Sequence, residues 1–184
     1  MSTPRVVGLD LSLASTGVAG NTGDGWSATI RPKRLAGLDR LTFIRATLID
    51  RYLSGVDLAV VEGPSYGSSG AGSHERAGLW WLVMDDLRRR DIPTAIMPPT
   101  NRAQYASGMG DANKREVVAA VIERFPMFDA AKRPGRDDEA DALVLAAAGA
   151  DHLGYPLVDL PDTHRKALAG CTWPEGRPMC RDGK

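Results

Sequence analysis

Two short apolar runs, each ending in a carboxylate, stand out in the hydrophobic pattern of this chain. One runs from Arg5 to Asp10 and the other from Asp57 to Glu62. Short apolar runs bounded by turn residues are typical of buried strands. A segment of helical period separates them, and a helix between two such strands favours a right-handed crossover that pairs them in parallel. The pairing predicts that Asp10 and Glu62 meet at the carboxyl ends of neighbouring strands, where ligand sites gather in open α/β sheets.

The remaining pattern predicts three more strands and several helices. Residues 18–20 and 26–30 flank a Gly/Asn/Asp loop, so strands 1 to 3 are predicted to form an antiparallel meander. A fifth strand is predicted at 93–97. We therefore predict an α/β fold with a mixed five-stranded sheet, antiparallel through strands 1–3 and parallel through strands 1, 4 and 5, with strand 1 central and helices on its faces. The crossover helix at 38–52 has one regular apolar face, formed by Leu38, Leu41, Ile44, Leu48 and Tyr52. Further helices are predicted at 75–90, 101–106, 113–125 and over the alanine- and leucine-rich stretch from 142 to 148.

Composition and length place these elements in one ordinary globular domain. The chain has 184 residues, of which 43% are hydrophobic and 25% charged, and its 23 basic residues equal its 23 acidic ones. This balance of charge indicates no particular partner. Beyond Ala150 the sequence becomes rich in proline and glycine, so we expect a main domain over 1–150 and a C-terminal extension over 151–184 with at most one short helix, near Asp162 to Ala169.

No apolar run is long enough to span a membrane, and the chain leads from Met1 directly into the first strand without a signal peptide. We therefore expect a cytoplasmic protein whose two cysteines, Cys171 and Cys180, are reduced thiols. A zinc site on these cysteines would need two more ligands, and only His152 and His164 lie near them in sequence, so we expect none.

Two further acids complete a set of four with Asp10 and Glu62. Asp138 and Asp141 are three residues apart at the start of a predicted helix, so they share one of its faces. Acids at a helix N-terminus also cap the helix, an alternative that explains Asp138 better than the deeper Asp141. If the helix packs at the same sheet edge, four carboxylates converge, and they could not stay ionised together without cations.

The residue types around these acids indicate which cation fits. Carboxylate oxygens with no neighbouring His or Cys favour Mg²⁺ or Mn²⁺ over zinc. Two such ions about 4 Å apart could clamp the attacking and leaving oxygens of an in-line phosphoryl displacement. Lys132, Arg133 and Arg136 directly precede the acidic helix, where a phosphate backbone could pass, although a solvated surface turn is the alternative for this loop.

Four segments together resemble the RuvC family of Holliday junction resolvases, within the ribonuclease H-like superfamily. They are Val7–Asp10 with Thr16-Gly17, then Val60–Glu62, Gly108–Lys114 and Asp138–Leu143, in the family's order and spacing over the first four-fifths of the chain. The resemblance implies a ribonuclease H-like fold in which Asp10, Glu62, Asp138 and Asp141 are the metal-binding catalytic acids. It also implies that Lys114 lies near the scissile phosphate.

The chain departs from the family pattern at several positions. Where the family has a lysine before the Gly-x-Gly turn, this chain has Ala103, and Arg102 beside it is the candidate replacement on the DNA. Where the family has a phenylalanine after the catalytic Glu, this chain has Ser65, and Tyr66 follows it as the candidate DNA contact. In its shortness and its proline-rich tail, the chain looks more like phage-encoded relatives. We therefore expect the protein in the cytoplasm of a bacterial cell or of a phage-infected host.

The resemblance implies an endonuclease that cuts four-way DNA junctions with two Mg²⁺ ions, for which Mn²⁺ can substitute. It also implies a homodimer, and the helix at 75–90 is the predicted contact because its apolar stripe is wide for one-sided burial. Packing of both its tryptophans, Trp80 and Trp81, within the monomer is the alternative.

Other functions stay open at this point. A nuclease of this fold could instead act on flaps, forks or RNA–DNA hybrids, and a DNA-junction-binding protein without catalysis would not need four acids. An actin-like phosphotransferase also opens with a strand and an Asp, but its phosphate loop needs Gly where this chain has Ser12, and it needs a second lobe.

Overall fold

A five-stranded sheet forms the centre of the structure, a computed structural model that describes residues 3–64 and 72–175. Its strands are β1 (Val6–Asp10), β2 (Thr16–Gly20), β3 (Trp26–Ile30), β4 (Leu58–Glu62) and β5 (Thr94–Met97). Their order is β3-β2-β1-β4-β5. The pairs β1–β2 and β2–β3 are antiparallel, whereas β1–β4 and β4–β5 are parallel. The predicted mixed sheet, with the first strand central, is confirmed.

Helices pack on both faces of this sheet, because side chains alternate between the faces along each strand. Val7 and Leu9 face one core, which they share with α1 (Gly37–Arg51) and α2 (Ser73–Arg89). Val6 faces the opposite core, which contains the inner sides of the remaining long helices. Those helices are α3 (Pro99–Ser107), α4 (Lys114–Arg124) and α5 (Arg136–His152).

The same alternation places Asp10 and Glu62 together. Leu58 and Val60 of β4 lie on the α5 side of the sheet, so Glu62, two residues further, points to that side as well. In the parallel ladder Leu9 pairs with Val61, and the next position along both strands brings Asp10 level with Glu62. Two carboxylates thus leave neighbouring strands on one face, at one edge.

The helix α5 lies unusually close to the sheet. Every residue from Glu139 to Asp151 is buried. A Cβ added at Gly8 would overlap the backbone of Ala142, and one added at Gly17 would overlap the backbone of Asp138. Glycine on β1 and β2 therefore allows the first turns of α5 to lie directly over the strand ends.

One detail differs from the predicted pattern. Leu38 is 78% exposed, because it lies in the first turn of α1 ahead of the buried stripe of Leu41, Ile44 and Leu48. In the C-terminal extension, helical structure lies where a short helix was predicted, as α6 (Asp162–Arg165) followed by a 3-10 helix (Lys166–Gly170). Ala167 of this segment is fully buried in the core beside α3.

No helix in the described ranges has both the length and the apolar character that crossing a membrane requires.

Candidate active site

Four carboxylates converge where the first and fourth strands end. Asp10 closes β1 and is only 9% exposed, and Glu62 closes β4 beside it. Asp138 and Asp141 lie in the first two turns of α5, which the glycines of the sheet allow to come close. The structure thus brings together the four acids that the sequence singled out, while their catalytic and metal-binding roles stay predictions.

A guanidinium group lies inside this set of acids. Arg102, in the first turns of α3, forms an ion pair with Glu62 at 2.5 Å between Nε and Oε1, and a second ion pair with Asp141. Its side chain is only 15% exposed. Arg102 was predicted to contact DNA, whereas in the structure its side chain lies between two of the acids. Arg102 is the only charged residue of α3, but nothing in the local sequence shows which acids it meets.

Lys114 supplies a second positive charge. It is the first residue of α4, which starts there because Asn113 and Glu116 form a complete capping box. Lys114 Nζ lies 3.3 Å from Asp138 Oδ1, and the lysine side chain is 54% exposed. Its amine therefore contacts the acids and also faces solvent, where a substrate phosphate could reach it.

The proton affinity of Asp10 reflects these surroundings. Burial, followed by the nearby Glu62 carboxylate and then Asp138, raises the pKa of Asp10 to about 7, against the opposing pull of Arg102 and Lys114. A carboxyl group with such a pKa is only partly ionised near neutrality. A cation placed beside Asp10 would favour its ionised form.

The donor set fits a hard divalent cation. All four donors are carboxylates, and the buried Asp10 has no hydrogen bond or ion pair with any of the residues described. Within residues 3–64 and 72–175, however, no three His, Cys, Asp or Glu side chains are grouped closely enough to hold a metal ion as they stand. Arg102, which bridges Glu62 and Asp141, fills the space between two of the donors.

The basic loop before α5 has a structural role that the sequence analysis missed. Arg133 binds Glu139 at 2.5 Å and Asp129 at 2.7 Å, and the Glu139 side chain is buried. Glu139 lies three residues before the apolar run that starts at Ala142, which was the available sign that it would be buried and need a partner. The guanidinium of Arg133 is therefore already occupied within the protein.

Within the described part of the chain, the other two cations of the basic loop are not engaged by buried acids as Arg133 is. Lys132 is exposed, and Arg136 donates to the backbone carbonyl of Ala130. Tyr66 lies outside the described residues. A cavity of about 410 Å³ also borders Glu62. Residues of α2, including His74 and Arg76, line this cavity.

Of the cysteines and histidines considered for a zinc site near the C-terminus, the structure describes all but Cys180. Cys171 is a free thiol, and burial raises its pKa to about 12. His152 stacks on Trp173 with ring centroids 3.8 Å apart, and His164 Nδ1 lies 2.9 Å from the carbonyl oxygen of Tyr105. Cys180 lies outside the described residues, so the expectation that the two cysteines bind no metal stays a prediction.

Sequence comparison finds relatives over part of the chain. Crossover junction endodeoxyribonuclease RuvC of Synechococcus sp. (strain CC9902) is 37% identical over 68 residues, which are 37% of this chain and 42% of that protein. RuvC of Prochlorococcus marinus (strain MIT 9211) is 38% identical over 65 residues, 35% of this chain and 39% of that protein. The match thus spans less than half the length of these relatives. No protein-family model matches the chain.

Structural comparison extends the similarity to most of the chain. RuvC of Thermus thermophilus superposes with a TM-score of 0.61 at 16% identity, over 84% of this chain and 99% of that one. The same protein in complex with a Holliday junction substrate gives a TM-score of 0.62 at 14% identity, over 85% and 99%. The yeast mitochondrial Holliday junction resolvase Ydc2 gives 0.52 at 14% identity, over 91% and 80%.

These matches agree with the strand order and with the parallel and antiparallel pairing of the sheet. The chain therefore has the fold of the RuvC structures, and over part of its length it is similar in sequence to RuvC proteins.

Proposed function

We propose that this protein is a structure-selective endonuclease that cleaves four-way (Holliday) DNA junctions by metal-dependent phosphodiester hydrolysis. The observation that carries the proposal is the convergence of four carboxylates with Arg102 and Lys114 at the ends of β1 and β4. The names of its relatives support the same activity, since one is a crossover junction endodeoxyribonuclease and another was solved with a Holliday junction.

The proposed roles follow from the chemistry of each side chain. The four carboxylates would hold Mg²⁺, which Mn²⁺ could replace, and the bound ions would supply a nucleophilic water and neutralise charge on the phosphate. Lys114 contacts the scissile phosphate through its solvent-facing amine. The ion-ligating acids are Asp10, Glu62, Asp138 and Asp141.

DNA contacts outside the acids are proposed for the basic loop and for Tyr66. Lys132 is the best placed of the loop cations, because it is exposed and no hydrogen bond or ion pair within the described residues engages it. Arg136 supplies a second positive charge beside it. Arg133 contributes mainly by holding Glu139, since removing it would leave a buried carboxylate without its partner.

We further propose that the protein acts as a homodimer in the cytoplasm. Two symmetric cuts in one junction require two active sites related by a two-fold axis, which a C₂ dimer supplies. Trp81 of α2 is 68% exposed, and apolar cavities of about 680 Å³ and about 540 Å³ flank it. An exposed tryptophan between two apolar cavities supports α2 as the dimer contact.

Digestion of labelled branched DNA tests the activity. With Mg²⁺, we expect paired, symmetric incisions in a four-way junction, and loss of them in EDTA. Asp10→Asn and Asp141→Asn should each lower the cleavage rate by at least about 100-fold while junction binding survives, since a metal ligand is lost but the DNA contacts are not. Asp137→Asn is the matched control, because Asp137 lies on the same helix and its one ion pair among the described residues is with Arg136, at 3.9 Å.

Several results would contradict this proposal. Full activity of the Asp141→Asn protein, or cleavage in EDTA, would exclude the metal mechanism. Flaps, replication forks and RNA–DNA hybrids belong in the same panel, and faster cleavage of any of these would move the proposal to that substrate. Tight junction binding with no cleavage of any substrate would instead indicate a binding protein.

A further inference from the structure

Arg102 lies where a metal-dependent site would be expected to hold its metal. Its guanidinium bridges Glu62 and Asp141, which belong to different elements of the fold. The side chains are 15% exposed for Arg102 and 6% for Asp141, so the pair is shielded from water. A planar guanidinium matches this bridging geometry better than a lysine ammonium would, because it offers donors in two directions.

The bridge has an electrostatic reason. Four carboxylates at one edge repel each other, and Arg102 and Lys114 offset only two of them. Among the described residues no other cation is recorded in contact with these four acids. Arg102 is thus the main internal counter-charge between Glu62 and Asp141.

The same bridge opposes metal binding. A divalent ion on Glu62 and Asp141 would lie within a few ångströms of the guanidinium, and like charges at that separation repel strongly in a shielded site. Arginine side chains in proteins are effectively always protonated, so the guanidinium cannot leave the two carboxylates by losing a proton. Its side chain has to move before the ion can occupy both carboxylates.

We propose that Arg102 is a built-in counter-ion that holds the acid site together without metal and is displaced when divalent ions bind. This rests on the proposed function, because it assumes that the acids are the metal ligands. The displaced guanidinium becomes free for a new anion, and a phosphate of the bound DNA strand is the anion that the proposed reaction brings to this edge. Metal loading and phosphate contact are then coupled through one side chain.

Metal titration of the whole protein without DNA tests the displacement. The fraction of free Mn²⁺, followed by its paramagnetic resonance signal, gives the affinity of wild type, Arg102→Gln, Arg102→Lys and Asp141→Asn. Arg102→Gln removes the competing charge, so it should bind Mn²⁺ about tenfold more tightly than wild type. Arg102→Lys keeps the charge but not the two-way bridge, so its affinity should lie between the two. Arg45→Gln is the matched control, because Arg45 makes a similar two-bond pair with Asp86 between α1 and α2, away from the acids.

Thermal unfolding gives a second measurement on the same proteins. In EDTA, Arg102→Gln should melt at a lower temperature than wild type, because the acids lose their counter-charge. Saturating Mn²⁺ should raise its melting temperature by more than that of wild type, since tighter binding to the native state adds more stability. If Arg102→Gln does not fold in EDTA, Arg102→Lys replaces it in both measurements, because the lysine variant retains a positive charge at this position.

The outcomes separate this inference from the proposed function. If Arg102→Gln, or Arg102→Lys in its place, binds Mn²⁺ no more tightly than wild type, Arg102 is a fixed scaffold residue and the displacement is wrong. If wild type and Asp141→Asn bind Mn²⁺ equally, the acids are not the metal site, and both the proposed mechanism and this inference fail.

Discussion

Asp10 makes the metal-free protein sensitive to pH. Its pKa is raised to about 7 in the fold, against 3.8 for the same side chain in an unfolded chain. Below about pH 4 both states hold the proton, so Asp10 contributes no penalty there. As the pH rises toward 7, the unfolded chain releases its proton first, and stability is lost.

We therefore expect the free energy of unfolding in EDTA to fall by roughly 2 kcal/mol more in wild type than in Asp10→Asn between about pH 5 and about pH 8. Urea unfolding of both proteins at the two pH values measures the difference, and other titrating groups cancel because both proteins share them. Mg²⁺ should remove the loss, since it binds the ionised carboxylate. Equal pH dependence of the two proteins would show that Asp10 titrates normally.

Gly17 is a residue whose lack of a side chain shapes the site. It pairs with Asp10 across β1 and β2, and a Cβ at this position would overlap the backbone of Asp138. Gly17→Ala should push the start of α5 away from the sheet, at a cost of about 1 to 3 kcal/mol in the free energy of unfolding. Cleavage should fall as well, because Asp138 moves with the helix.

Gly78→Ala is the control for Gly17→Ala. Gly78 lies within α2, and an added Cβ would meet only Leu41 Cδ1, at an ordinary 3.9 Å. This substitution should leave stability unchanged or raise it by up to about 1 kcal/mol, because alanine favours the helix. If chemical denaturation shows equal effects at the two positions, close packing of α5 on Gly17 is not what matters.

At the level of elements, the strands were predictable and the helix contacts were not. Apolar runs ending in Asp10 and Glu62, together with the handedness of crossover connections, are enough to derive parallel pairing and a shared face. The pairing of Arg102 with Asp141 joins α3 to α5, and no local pattern encodes which cation meets which acid. The partners of Glu139 could not be predicted for the same reason. Arg133 lies in the preceding loop, and Ser27 lies on β3.

The segment after α5 is a second case in which contacts with a helix could not be predicted from the local sequence. Its proline and glycine content suggested an extension with at most one short helix, yet it holds α3 in place. Asn101 donates to the carbonyl of Ala167 at 2.9 Å, and Gln104 donates to the carbonyl of Thr163 at 3.3 Å. Since α3 carries Arg102, this segment lies behind the helix that reaches the acids.

A buried acid anchors the same segment. Asp151, with a side chain 1% exposed, accepts two hydrogen bonds from Arg165, at 3.0 and 2.6 Å, and one from the hydroxyl of Tyr105 at 3.2 Å. Arg165→Ala should cost about 1 to 3 kcal/mol in the free energy of unfolding, because Asp151 stays buried without its cation. The control is Arg88→Ala, which breaks an exposed pair with Asp85 and should cost less than about 0.5 kcal/mol. Equal costs in urea unfolding would mean that the segment does not depend on this pair.

At the scale of the whole molecule, the net charge does not show which part of the surface would attract DNA. The 23 basic and 23 acidic residues cancel, but four of the acids are gathered at one site and would be neutralised by metal. Glu139 and Asp151 are buried against arginines. A neutral chain is therefore compatible with a surface that attracts phosphates around the proposed site.

Assembly is the remaining whole-molecule question, and Trp81 is the residue that tests it. Its side chain is 68% exposed on α2, whereas Trp80 next to it is partly buried and donates to the carbonyl of Glu62 at 3.0 Å. Only Trp81 is therefore available to a second copy. Truncating a central interface tryptophan typically costs about 2 kcal/mol or more, so Trp81→Ala should weaken dimerisation by at least about tenfold.

Light scattering over a concentration series, with and without junction DNA, measures this change. Leu38→Ala is the matched control, because Leu38 is 78% exposed but lies on α1; it should leave the dimer unchanged. Because α2 also supports the end of β4 through Trp80, the monomeric Trp81→Ala protein should still bind Mn²⁺ at the acids but lose paired incision, making single nicks instead. A wild-type protein that stays monomeric on the junction and still cuts both strands symmetrically would refute the dimer.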